Sequence, residues 1–175
     1  MNCPACNTAL TPITSNGVTV DACDGGCGGL WFDHFEFEKF DEPCEPATEL
    51  LHVHRDPNVV TDTAKRYPCP HCTDGVVMMR HFVSVKRGVT IDECPACGGV
   101  WLDAGELGRV RAEFPSEEAR HAAADAYFAD VVDPLLAAEH AKTVEDLARA
   151  RKFAHALRFA CPSYYLPGKQ AGAAF

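Results

Sequence analysis

Two copies of one cysteine pattern constrain this chain more than anything else in it. The first copy has Cys3-Pro-Ala-Cys6, then Cys23 and Cys27, then Gly28-Gly29-Leu30-Trp31-Phe32-Asp33. The second has Cys69-Pro-His-Cys72, then Cys94-Pro-Ala-Cys97, then Gly98-Gly99-Val100-Trp101-Leu102-Asp103. Paired cysteines separated by a stretch long enough for a hairpin supply four thiolates for a tetrahedral zinc. The expected ligands are Cys3, Cys6, Cys23 and Cys27 for one structural Zn²⁺, and Cys69, Cys72, Cys94 and Cys97 for another. Each copy spans roughly 40 residues, a size at which apolar burial alone seldom offsets chain entropy. A structural zinc closes that gap, with about 10–16 kcal/mol of binding energy in small zinc-finger peptides.

The stretches between the cysteine pairs carry hairpin signals. Strands are expected over 10–15 and 18–22, joined by Asn16-Gly17, because both turn positions tolerate positive φ. In the second copy 76–86 and 89–93 take the same role around Arg87-Gly88. Each copy therefore reads as a zinc ribbon, a hairpin with a cysteine knuckle at either end. Asp33 with Glu36, and Asp103 with Glu106, have capping-box spacing and predict short helices over 34–40 and 104–112. A catalytic use of these carboxylates is disfavoured, since a closed four-cysteine zinc leaves no position for substrate. Trp31 and Trp101 are expected to pack against their hairpins. No catalytic residues are expected, and no enzyme.

The expected fold class is a small metal-stabilised α+β chain, with two tandem zinc ribbons followed by an α-helical hairpin. The divisions are ribbon 1 over 1–42, a linker over 43–65 with Pro43, Pro46 and Pro57, ribbon 2 over 66–112, helices over 113–161 and a tail over 162–175. Ser116 before Glu117-Glu118 reads as a helix start, and Asp133-Pro134 as a break with Asp133 as the next N-cap. Leu136, Val144, Leu147, Phe153 and Leu157 lie near one stripe, with Arg149, Arg151, Lys152 and Arg158 toward the helix end.

The segment Cys69 to Leu107, with its string Gly98-Gly99-Val100-Trp101-Leu102-Asp103-Ala104-Gly105-Glu106-Leu107, resembles the bacterial TFIIB-type zinc-ribbon family. Residues 3–37 resemble it more loosely: Phe35 stands at the family's glycine, Phe37 at its leucine, and Cys23 to Cys27 is one residue longer. The resemblance implies a zinc-binding ribbon in each copy. An iron centre of the rubredoxin kind would use the same four-sulfur set and is the rival metal. Cys44 and Cys161 are left over as free thiols. His52 and His54 are read as structural or surface residues, since eight thiolates already serve two sites; His71, inside a knuckle, and His34, after Asp33, lie near zinc by sequence but are unnecessary as ligands.

Close CxxC pairs and the absence of a leader-like start or a long apolar run point to a cytoplasmic chain. The formal charge is −9, and two four-thiolate zinc sites would take it to roughly −13. Such a balance disfavours phosphate backbones unless cations concentrate on one face. Ribbon 1 has one lysine against seven acids. Ribbon 2 is richer in cations, with Arg80, Lys86 and Arg87 along its hairpin as candidate nucleic-acid contacts. A protein-interaction or adaptor module is the leading expectation, with the helices and the Tyr164-Tyr165-Leu166 tail as docking elements. Transcription-related nucleic-acid binding is the alternative, and a thiol redox or zinc-release switch is the second alternative. Neither a membrane partner nor a small-molecule substrate is expected.

Overall fold

The computed structural model describes residues 1–157. Two units are distinguished, one of residues 1–125 and one beginning at Ala126. The first unit holds both ribbons in one sheet. Its strands are β1 (Thr11–Ser15), β2 (Val18–Ala22), β3 (Leu30–Phe32), β4 (Met79–Phe82), β5 (Thr90–Glu93) and β6 (Val100–Leu102), in the order β1-β2-β3-β6-β5-β4. Every neighbouring pair is antiparallel, and the ribbons meet where β3 pairs β6 with Leu30 opposite Leu102, Trp31 opposite Trp101 and Phe32 opposite Val100.

Strand alternation sorts this sheet into two apolar faces. On one face Val20, Leu30, Phe32, Ile91, Val100 and Leu102 form a core. A 3-10 turn (Phe37–Lys39), α1 (Thr48–Leu51) and α2 (Glu106–Glu113) add Phe37, Leu50, Leu107 and Val110 to it. On the other face Trp31, Trp101, Tyr67 and Met78 pack among the cysteines. Both tryptophans are fully buried, as their place after the glycines predicts.

The first hairpin turns at Asn16 (φ 48°) and Gly17 (φ 75°), the conformation that Asn-Gly favours. The second is less regular than expected: β4 stops at Phe82 instead of continuing to Lys86. Its loop closes through Val83 N–H to Val89 O (3.1 Å) and Arg87 N–H to Ser84 O (3.1 Å), with Arg87 at φ 56°. The paired strands are shorter because the chain leaves the ladder for this wider loop.

The segment 43–65 is tied to the sheet. Ala47 and Leu50 are buried, Gly25 N–H donates to His54 O (2.8 Å), and Asp56 N–H donates to Gly26 O (2.9 Å). From α2, Arg111 donates to the carbonyls of Phe40 (2.6 Å), Pro43 (3.1 Å) and Glu45 (2.6 Å).

Ser116 caps α3 (Glu117–Tyr127), its hydroxyl accepting from Ala119 N–H at 3.3 Å. In the second unit a π-helical turn (Phe128–Val132) leads into α4 (Asp133–Ala156). Asp133 is not the N-cap that the sequence suggests: Tyr127, Val132 and Asp133 all have right-handed helical dihedrals, and Asp133 makes no side-chain cap. The wider π turn accommodates Pro134, which lacks an N–H and would crowd the carbonyl four residues back in a regular helix. None of the residues of α4 is buried. No described helix is long and apolar enough to cross a membrane. Cys161, Arg158 and the tail expectation at Tyr164-Tyr165-Leu166 lie outside the described residues.

Candidate metal centres

The eight expected cysteines gather into two groups of four. Cys3, Cys6, Cys23 and Cys27 form one and Cys69, Cys72, Cys94 and Cys97 the other, with all four Sγ atoms of each group within 4.8 Å of one another. Four sulfurs at 2.3 Å from a tetrahedral zinc stand about 3.8 Å apart. In the second centre Cys69 and Cys97 are 3.7 Å apart, and Cys72 and Cys94 are 3.8 Å apart. The first is slightly tighter, with Cys3 to Cys27 at 3.5 Å and Cys6 to Cys23 at 3.4 Å. Both donor sets fit zinc. None of these cysteines is in a disulfide.

Burial and the surrounding amides pull the thiols in opposite directions: burial pushes Cys23 up to about 11 and raises Cys69, although each accepts a backbone N–H. Cys27 N–H donates to Cys23 Sγ (3.3 Å), and Cys72 N–H donates to Cys69 Sγ (3.3 Å). The Cys3 thiol beside Cys27 lowers the latter to about 6, while Cys3 itself is raised by the same contact and by burial. Burial opposes the Cys94 thiolate, but the amides of Cys97 and Ala96 outweigh it and bring Cys94 to about 7. Zinc takes deprotonated cysteine, so a bound ion would hold all four thiols of each set in the charged form.

The glycine pairs after the knuckles have distinct tasks. Gly28 (φ 80°) and Gly98 (φ 70°) turn the chain in the left-handed region. Gly29 and Gly99 make room for indole rings from the opposite ribbon: a Cβ on Gly29 would overlap Trp101, and one on Gly99 would overlap Trp31. Each of these glycines also holds a ligand, as Cys23 N–H donates to Gly29 O (2.9 Å) and Cys94 N–H donates to Gly99 O (2.8 Å). The tryptophans are held in turn by Asp33 and Asp103, whose Oδ1 atoms each accept an indole N–H at 3.0 Å.

Residues 2–42 and 68–112 both match the transcription factor zinc-finger family model of the TFIIB type. The chain carries two TFIIB-type zinc ribbons. No curated protein and no solved structure matches the chain.

Within these TFIIB-type ribbons the capping-box expectation is met by half. Glu36 and Glu106 do reach back to the N–H groups of Asp33 (3.1 Å) and Asp103 (2.9 Å). The aspartates, however, hold the indoles and do not cap amides. The first helix is also reduced to the 3-10 turn, after Phe35 at φ 67°, where ribbon 2 has Gly105 at φ 78°. No histidine among the described residues joins either thiolate group: His52 Nδ1 lies 2.8 Å from Thr48 O, and His34 Nδ1 lies 3.4 Å from Gly98 O. Cys44 is exposed beside Glu42.

The candidate phosphate contacts have structural partners. Arg80 grips the buried Asp92 through Nη2 (2.6 Å) and Nε (2.9 Å), and donates to the carbonyls of Thr63 and Lys65. Lys86 donates to Glu113 O and lies over the Phe114 ring at 3.9 Å. Arg87 stands 5.8 Å from the Phe82 ring. Asp92 was hidden by the wider loop: a two-residue turn at Arg87-Gly88 would have set Arg80 opposite Pro95, whereas the observed register sets it opposite Asp92; nothing in the sequence marked the two carbonyls.

Proposed function

We propose that this chain is a non-enzymatic protein-interaction module of the cytoplasm, with the two zinc ribbons as its rigid base and α4 as its docking element. The observation that carries this reading is the exposure of Leu135, Leu136, Leu147 and Phe153 on α4, a helix none of whose residues is buried. Exposed apolar side chains spaced along an uncovered helix offer anchors to a protein partner. Two further features agree with it. Four thiolates fill a zinc's coordination, leaving no open position for catalysis. Arg80 and Lys86 are engaged within the fold, and the chain's net charge of −9 opposes a phosphate backbone.

The test is recovery of partners on the tagged full chain from its native cell, with and without nuclease, alongside a variant carrying Leu136→Asp and Leu147→Asp. A specific protein recovered regardless of nuclease, and lost with the variant, supports the module. Recovery that collapses on nuclease treatment would overturn it in favour of nucleic-acid binding. A partner equally bound by the variant would move the interface from α4 to the ribbons.

A further inference from the structure

The crossed contacts at the centre of the sheet join each metal centre to the opposite ribbon. Trp101 belongs to ribbon 2, yet its ring lies against Gly29, whose carbonyl accepts the N–H of Cys23 in the first centre. Trp31 belongs to ribbon 1 and lies against Gly99, whose carbonyl accepts the N–H of Cys94 in the second. Each tryptophan is positioned by its own ribbon, through the pairing of β3 with β2 or of β6 with β5 and through the aspartate that holds its indole. Both rings are fully buried. Folding one knuckle around its metal therefore places the ring that supports the other knuckle's glycine.

We propose that the two zinc centres are energetically coupled, so that metal at either one raises the affinity of the other through the Trp31–Gly99 and Trp101–Gly29 contacts. Two features give the coupling its strength. A small ribbon owes its fold to its metal, so losing one zinc disorders the ring that ribbon contributes. The contact also tolerates no substitute geometry, since a single added methyl on either glycine would overlap the indole. Thermodynamic linkage makes the effect reciprocal, with the same factor in both directions. The chain then gains and loses its two zincs as a pair, although its ligands form two separate sets.

The test measures zinc affinity by chelator competition, with native mass spectrometry counting the metals bound. One variant, Cys94→Ser with Cys97→Ser, removes half the ligands of the second centre and leaves the first set intact. Another, Cys23→Ser with Cys27→Ser, does the reverse. Coupling predicts that each surviving centre binds zinc at least about tenfold more weakly than in the intact chain, a factor worth about 1.4 kcal/mol. Unchanged affinity in both variants would overturn the proposal. Because a ligand variant can also fail to fold, Gly99→Ala provides a second reading with all eight cysteines present. It is expected to weaken zinc at the first centre as well as the second; weakening confined to the second centre, with the first at full affinity, would equally overturn it.

Discussion

At the residue scale, Phe35 shows what one substitution does to a repeated design. Its φ of 67° is the conformation that Gly105 adopts at the matching place in ribbon 2, where glycine meets no steric cost. A bulky side chain there is strained, by about 1–3 kcal/mol for such conformations. The ring is 62 % exposed, so its burial does little to offset that strain. Phe35→Gly should stabilise the zinc-loaded protein by about 1 kcal/mol, read as a higher denaturation midpoint; a lower midpoint would mean that the ring's contact with His34 outweighs the backbone. Glu106 makes a second prediction at this scale. Burial pushes its carboxyl up to about 7 from the 4.5 of an unperturbed glutamate, against the Asp103 amide, whose hydrogen bond favours the charged form. The folded state thus keeps a proton that the unfolded chain releases. That contribution is fully present below pH 4.5 and disappears as pH rises through 7. Glu106→Gln, which is neutral throughout, should gain on the wild type as pH climbs from 5 to 8 in urea titrations. A pH-independent difference would show that Glu106 ionises normally.

At the scale of elements, the second hairpin is held by a cation that the sequence offered to a partner. Arg80 on β4 reaches across to Asp92 on β5, and Asp92 is only 3 % exposed. Removing one member of such a pair leaves an uncompensated buried charge, at about 3–5 kcal/mol. Arg80→Met should therefore destabilise the fold by about 3 kcal/mol in chemical denaturation, while Arg80→Met with Asp92→Leu recovers much of the loss. Equal destabilisation in single and double variants would assign the role of Arg80 to the Thr63 and Lys65 carbonyls instead. This is also where sequence legibility ends, and for a physical reason. Cysteine spacing, the Asn16-Gly17 turn and the buried tryptophans are local signals, each decided within a few residues. The partners of Arg80 and Arg111 depend on which distant carbonyls the fold brings within reach. The π turn before Asp133 was equally hidden, because Asp-Pro starts a helix after a loop or relieves one already running.

At the scale of the whole molecule, the repeat makes one sheet from two ribbons by pairing equivalent strands. β3 and β6 are each three residues long, too short to register as strands in sequence, and Trp31 faces Trp101 at their centre. Neither the join nor its direction could be read from spacing, although the twin Gly-Gly-x-Trp strings are what make it possible. Pairing of equivalent strands in antiparallel register is the geometry of an isologous dimer, here carried within one chain. A separated ribbon 2 would expose the β6 edge, the open space above Gly99 and its own Trp101. An exposed apolar edge of that kind recruits another strand. Its best available complement is a second copy of itself, with Trp101 opposite Trp101 and each ring over the other copy's Gly99. A zinc-loaded fragment of residues 66–112 is thus expected to be a dimer in light scattering coupled to gel filtration, and Gly99→Ala should drive it toward monomer. A folded monomeric fragment would show that ribbon 2 is complete without this edge, and that the shared sheet joins two independent domains.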